Sequence, residues 1–378
     1  MSWLAGAAAC LWLAVLLVPW RPWSTRERLE PAASPSGRPR CDAAAVTVLI
    51  PARNEADSIA ATLEAVALQA GVAAVVVVDD GSEDGSGEIV ASWSASNPAV
   101  RLVEGRATPP GWSGKLWALE QGLGHVDTPL VLLLDADIRL DPGMVAALTG
   151  KLEHDRLDQV SIMAELPAES LPEKLMLPAF VYFFRQIYPF AWVNRPDRPF
   201  AAAAGGCVLV RREMLERAGA FAAWKNALID DCELARRVRA AGGRIWLGLS
   251  HGVRSMRRHP DFGSVLATIR RTAYVQLRQS PALLALTVAV MLLAFIAPPA
   301  AFATGIVEGS RALSGLGLAG WLLMAAGYAP QVRFAGLSVL WAASLPLAAM
   351  LFLAATVDSA ARHHFGAGAG WKGRRYTR

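Results

Sequence analysis

Four stretches of this chain carry no charged side chain for long enough to cross a lipid bilayer, which limits everything else it can fold into. They run from Ser2 to Trp20, from Pro281 to Val307, from Ala312 to Val332 and from Phe334 to Val357. A helix of the first stretch's length spans roughly 28 Å, close to the thickness of a hydrocarbon core. Together with a hydrophobic fraction of 54% over 378 residues, this excludes disorder, a coiled coil and a nucleic-acid-binding tail as the main architecture. The chain is expected to be a multi-pass membrane protein with a soluble body between its first and second spans. The first stretch does not read as a secretory signal peptide, because no basic residue precedes it and Arg21, Arg26 and Arg28 follow without a clear cleavage site.

Basic residues favour the cytoplasmic side of a span. Arg21, Arg26 and Arg28 after the first span, and Arg270, Arg271 and Arg278 before the second, therefore place the body in the cytoplasm and the N-terminus outside. The tail conflicts with this, because Arg362, Lys372, Arg374, Arg375 and Arg378 also call for the cytoplasm, while four crossings would export them. The reading is three crossing segments, with Pro281 to Val307 bent or re-entrant around Pro298 and Pro299. The net charge of +5 comes from 32 Arg and five Lys against 32 acidic residues. On a membrane protein such a surplus meets anionic lipid rather than nucleic acid. Cys10, Cys41, Cys207 and Cys232 show neither CxxC nor zinc-finger spacing, which suits a reducing compartment.

After a Pro/Ser-rich linker (PAASPSGRPR, 31–40), short continuous Val/Leu runs alternate with helical patterns. Strands are expected at Val46 to Pro51, Ala74 to Asp79, Val100 to Glu104 and Leu130 to Asp135. Helices are expected at Ala56 to Gln69, Asp84 to Trp93 and from Lys115 to Gly122. Apolar runs of this kind belong to parallel strands covered on both faces, and hence to a doubly wound α/β sheet that binds ligands at its strands' carboxyl ends. The acidic residues fall at those ends: Glu55 after strand one, Asp79-Asp80-Gly-Ser82 after strand two, Asp135-Ala-Asp137 after strand four. Any one cluster could be only a turn or a helix cap. Three in register make a cleft suited to a divalent metal bridging carboxylates to a diphosphate, or to accepting hydrogen bonds from ribose and base. No GxGxxG follows strand one, which argues against a nicotinamide dehydrogenase.

With PARNE (51–55), DDGS (79–82), GKLWALEQG (114–122), DAD (135–137), GGCVLVR (205–211) and DDCEL (230–234) in this order, the chain resembles family 2 glycosyltransferases. Within them it looks most like the hopene-associated, hopanoid-biosynthesis enzymes of bacteria. The likeness extends to Phe183–Trp192 and the RTAYVQLR segment. It implies an α/β GT-A fold, Rossmann-like with a mostly parallel sheet, carrying one N-terminal and about three C-terminal transmembrane helices. The implied domains are an N-terminal helix (1–20), a linker (21–45), a cytoplasmic catalytic domain (46–255), an interfacial amphipathic segment (256–280), membrane segments (281–357) and a basic tail (358–378).

The implied activity is inverting transfer of one sugar from a nucleotide diphosphate sugar, a UDP-sugar foremost, to a lipid hydroxyl at the bacterial inner membrane. A hopanoid is the implied acceptor; polyprenyl phosphate, a ceramide-like lipid, diacylglycerol or a carotenoid are alternatives, and a non-catalytic membrane scaffold is the rival from another class. Glu55, Asp79 and Asp80, near Pro51, would hold base and ribose. Asp137, with Asp135, would hold Mg²⁺ or Mn²⁺. Lys115, after the Gly111–Gly114 loop, would meet phosphate or sugar oxygens, and Gly205 and Gly206 would flank the sugar on its acceptor side, unless they only pack a strand start. Asp231 or Asp230 would be the catalytic base. The QxxRW motif of processive members is absent, which favours a single transfer. In its place Arg270, Arg271 and Arg278 either grip the diphosphate, Arg271 foremost, or anchor lipid headgroups. His251 reads as structural, and the aromatic stretch Leu175 to Trp192 as an interfacial helix pair.

Overall fold

The structure is a computed structural model describing residues 1–31, 46–365, 369–371 and 374–376. Most of the expected linker, Cys41, Lys372 and Arg378 lie outside the described residues. The chain forms two compact units: Glu27–Leu166 with Trp192–Arg257, and Met1–Arg26 with Pro167–Ala191 and Arg258–Arg378.

The first unit is an α/β domain on eight strands: β1 (Val46–Ala52), β2 (Val72–Asp79), β3 (Val100–Glu104), β4 (Leu130–Leu134), β5 (Ile138–Leu140), β6 (Gln159–Glu165), β7 (Cys207–Arg211) and β8 (Ile245–Ser255). Their order is β3-β2-β1-β4-β7-β6-β8-β5. The Val/Leu runs behave as their composition requires: β4 is buried along its whole length and β1 except at Pro51. β1 pairs in parallel with β2 and β4, Val48 lying opposite Val75 and Leu132. At β4 the sheet changes character. β7 runs antiparallel to both β4 and β6, while β6 and β8 are parallel. The expected parallel sheet thus describes one half, and β4 forms the seam. Helices Ile59–Ala67, Ser86–Ser96 and Gly114–Leu123 link the parallel strands.

Residues 27–30 belong to this domain. Leu29 N–H donates to the Leu249 carbonyl and Leu249 N–H to that of Glu27. The Glu30 carboxylate accepts from Ser250 Oγ (3.0 Å) and the His251 amide (2.9 Å), with His251 Nδ1 at 3.0 Å. These partners account for His251 structurally.

In the second unit three helices have the length and apolarity to cross a bilayer: Pro281–Val307, Arg311–Phe334 and Val339–His364. A shorter apolar helix, Ser2–Leu17, packs with them. The expected re-entry at Pro298-Pro299 is corrected here, because Pro281–Val307 is helical throughout. Proline lacks the N–H that would bond the carbonyl four residues back. The chain meets this loss with a wide turn at Leu292–Ile296 immediately upstream. The freed Ala294 carbonyl accepts instead from Trp12 Nε1, at 2.6 Å. Gly305 and Gly317 then let the next helix approach backbone to backbone, since a Cβ on Gly317 would stand 2.3 Å from the Phe302 nitrogen. Trp12→Phe is expected to keep the packing but orphan the Ala294 carbonyl, destabilising the protein by roughly 1 kcal/mol. A lowered thermal midpoint of the detergent-solubilised protein would show this; an unchanged one would refute it.

The aromatic segment forms a helix, Leu171–Ile187, capped by reciprocal Ser170–Glu173 bonds, followed by Phe190–Val193. Arg271 sits on the helix Phe262–Gln276 of this same unit. There its neighbour Arg270 pairs with Asp358 at 3.0 Å.

Candidate active site

Because β1, β2 and β4 are parallel, their carboxyl ends share one edge of the sheet. Asp135 directly follows β4, and its N–H donates to the Gly206 carbonyl, 3.1 Å away at the entry to β7. The seam of the sheet thereby brings 135–137 beside 205–206, although 70 positions separate them in sequence.

Lys115 enters from the helix Gly114–Leu123, whose N-terminus is capped by Ser113 Oγ accepting from the Leu116 amide at 3.3 Å. Its Nζ stands 2.8 Å from Asp135 Oδ1 and 3.3 Å from Asp230 Oδ2. One ammonium therefore bridges the DAD strand end and the DDCEL helix, Asp230–Ala240. Desolvation works against the ammonium, but Asp135, Asp230 and Asp231 outweigh it and hold its pKa above the usual lysine value. Asp231 is displaced the other way. Desolvation first, and repulsion from Asp230 second, push its carboxyl up to about 7, against the pull of Lys115 and of the Cys232 and Gly205 amides. Its Oδ1 accepts from the Cys232 amide at 2.7 Å.

Gly205 lies against Asp231, where a Cβ would stand 3.3 Å from the aspartate's Cβ and Oδ2. Gly205→Ala should push the carboxylate aside by a few tenths of an ångström. It is expected to lower kcat about tenfold while leaving the fold intact; steady-state rates beside a melting curve would check both halves.

Pro51, Lys115, Asp135, Gly205, Trp224 and Asp231 line one pocket. Glu55 and Asp137 meet on Arg257, while Asp80 pairs separately with Arg53. Asp137 is buried and accepts from Arg257 Nε at 2.9 Å, while Glu55 Oε1 meets Arg257 Nη2 at 3.2 Å. Asp80 is buried beside Arg53, whose Nη1 donates to the Asp80 carbonyl. Asp79 accepts from the Ser82 hydroxyl and amide, closing the DDGS turn.

Two residues here escaped the sequence reading. Arg257 belongs to the basic run Arg254–Arg258, and its position directly after the last strand was the available signal. Trp224 had none beyond being an aromatic shortly before the Asp pair. It packs edge-on against Phe221 at 5.7 Å and under Arg237 at 5.6 Å.

Among the described residues, no three His, Cys, Asp or Glu side chains converge on a metal-sized point. A divalent ion that takes its other ligands from a diphosphate and water needs only one or two protein carboxylates. Asp135 and Asp137 are carboxylates of that kind, so the donor set fits. Lys115 and Arg257 balance their charge here.

Residues 47–219 match the model for glycosyl transferase family 2. This supports a family 2 glycosyltransferase. A 94-residue stretch, 25% of the chain, is 35% identical to the 4,4'-diaponeurosporenoate glycosyltransferase of Staphylococcus aureus (strain USA300) and spans 24% of that protein's length. A mannosyltransferase from Pyrobaculum calidifontis, PcManGT, solved in complex with GDP-Man and Mn²⁺, superimposes with a TM-score of 0.57. That superposition covers 94% of this chain and 98% of the other at 22% identity. The fold is GT-A, with a mixed eight-stranded sheet and membrane helices following it.

Proposed function

We propose that this glycosyltransferase moves one sugar from a nucleotide diphosphate sugar to a hydroxyl of an apolar lipid, inverting the anomeric carbon. The observation that carries the reading is the grouping of Lys115, Asp135, Asp230 and Asp231 in one pocket. Asp231, held near neutrality in its pKa, is suited to take a proton at physiological pH. In the proposed step an acceptor oxygen attacks the anomeric carbon, its proton passes to Asp231, and the carbon–oxygen bond to the diphosphate breaks. A single in-line displacement of this kind inverts the centre.

Glu55, Asp79 and Asp80 would bind base and ribose. Lys115 and the capped helix start would meet phosphate or sugar oxygens. Asp137, with Asp135, would hold Mg²⁺ or Mn²⁺, which when bound offsets charge on the leaving diphosphate. PcManGT was solved with Mn²⁺ and GDP-Man, which supports a nucleotide-sugar donor and a divalent ion without fixing the base; a UDP-sugar is proposed first.

The membrane helices and the diaponeurosporenoate-acting relative support a lipid-like acceptor. A hopanoid is proposed, with a carotenoid as the second reading because of that relative. The bacterial inner membrane, with the α/β unit in the cytoplasm, is the proposed location.

The test is to incubate the full chain in lipid nanodiscs with Mn²⁺, a panel of UDP- and GDP-sugars, and either a hydroxylated hopanoid or a hydroxylated carotenoid. Product lipids are then read by mass spectrometry. A new glycolipid with one added hexose supports the proposal, and its acceptor separates the two readings. The absence of both nucleotide-sugar binding and product across the panel would overturn it.

A further inference from the structure

The helix Val339–His364 has the length to cross a bilayer, but its neighbours within the membrane unit give it the wrong direction. Pro281–Val307 and Arg311–Phe334 are antiparallel: Gly305 meets Ser314, Gly317 meets Phe302 and Gly320 meets Pro298. Ser2–Leu17 runs parallel to Arg311–Phe334, with Ala5 beside Leu313, Ala9 beside Gly320 and Leu16 beside Gly327. Charges bracket these helices. Arg311 stands at one end and Arg333 at the other, about 33 Å apart at helical rise, which matches a hydrocarbon core.

A fourth crossing would have to start beside Phe334 and run back towards Arg311. Instead the Ala343 carbonyl accepts from Trp321 Nε1 at 3.0 Å. Trp321 packs on Phe302 and lies about 20 Å back from Phe334 along its helix. Further on, Phe352 packs on Phe183 at 4.8 Å, which in turn packs on Phe295. The helix ends beside the segment that leads into Pro281: Asp358 pairs with Arg270 at 3.0 Å, and His364 Nε2 lies 3.0 Å from the Tyr274 hydroxyl. From Ala343 to His364 the chain therefore descends past Phe302 and Phe295 to the level of Pro281. It runs parallel to its predecessor, so residues 335–342 double back.

We propose that Val339–His364 enters the bilayer from the face carrying Arg333, turns inside it and leaves by that same face. Its inner turn is built for hydrocarbon. Leu340 is 81% exposed, and Leu347 and Met350 are also exposed. Irregular backbone at membrane depth needs internal partners. Trp321 supplies one, and Ser344 Oγ, donating to the Trp341 carbonyl at 2.8 Å, supplies another. The charged residues of the helix, Asp358 and Arg362, fall at its Arg333-side end, paired with each other and with Arg270. Three crossings then remain, Ser2–Leu17, Pro281–Val307 and Arg311–Phe334. The basic tail falls on the side of Arg21 and Arg278, which removes the conflict between the tail's charge and four crossings.

Parity tests the proposal. Epitope tags at residues 1 and 378 of the full chain, expressed in bacterial spheroplasts, are expected on opposite faces: protease removes one tag from intact spheroplasts and both after lysis. Two tags on the same face would overturn the proposal. A third tag inserted at Gly336 should share the face of residue 378, and finding it on the other face would make Val339–His364 a crossing helix.

Discussion

Asp231→Asn is expected to lower kcat by 10²- to 10⁴-fold, the usual cost of losing a positioned general base, while binding of the nucleotide sugar persists. The amide keeps the shape of the side chain, and its oxygen can still accept from Cys232, whose amide donates to Asp231 Oδ1 at 2.7 Å. What disappears is the ability to receive a proton. The wild-type pH profile should carry the same signature. On the proposed mechanism Asp231 accepts a proton only when ionised, and desolvation with repulsion from Asp230 raises it to about 7. kcat/KM should therefore climb about tenfold per pH unit below that point and level off above it. Asp230→Asn removes the repulsion that raises Asp231 and should move the rising limb to lower pH. A full rate in Asp231→Asn would transfer the role elsewhere.

Lys115→Met should be nearly as damaging, at roughly 10²-fold in kcat/KM, with a different signature. Without the ammonium, Asp135, Asp230 and Asp231 face one another with no cation that the ion-pair geometry places among them. Asp231 loses the pull of Lys115 and then favours its protonated form. The base titrates higher, so the rising limb should shift to more alkaline pH and part of the loss should be recovered there. A loss that is equal at every pH, seen only in KM, would mean that Lys115 does nothing but hold the donor.

Much of this was legible in the sequence because it is local. The buried runs at 46–50, 75–78 and 130–134 read as strands covered on both faces, and acids directly after strands that run in parallel share an edge. The antiparallel half was not legible. β7 slots between β4 and β6 through long-range pairing, and β5 has only three residues, too short for a period to show. Arg257 stayed hidden for a similar reason: its meaning comes from Glu55 and Asp137, far away in sequence. The prolines at 298 and 299 misled because their compensating donor, Trp12, comes from the opposite end of the chain. Length and apolarity likewise say that a helix can cross, while direction is set by packing partners that a sequence does not name.

The shared ammonium also has an electrical consequence. With Lys115 charged and its three carboxylates ionised, the cluster carries two net negative charges before transfer. On the proposed chemistry it carries one afterwards, because Asp231 has taken a proton. The departing nucleoside diphosphate gains one negative charge in the same event. The pocket thus grows less repulsive as the leaving anion forms, and the total charge within a few ångströms stays constant. Such a site needs little rearrangement of surrounding water to accommodate the reaction.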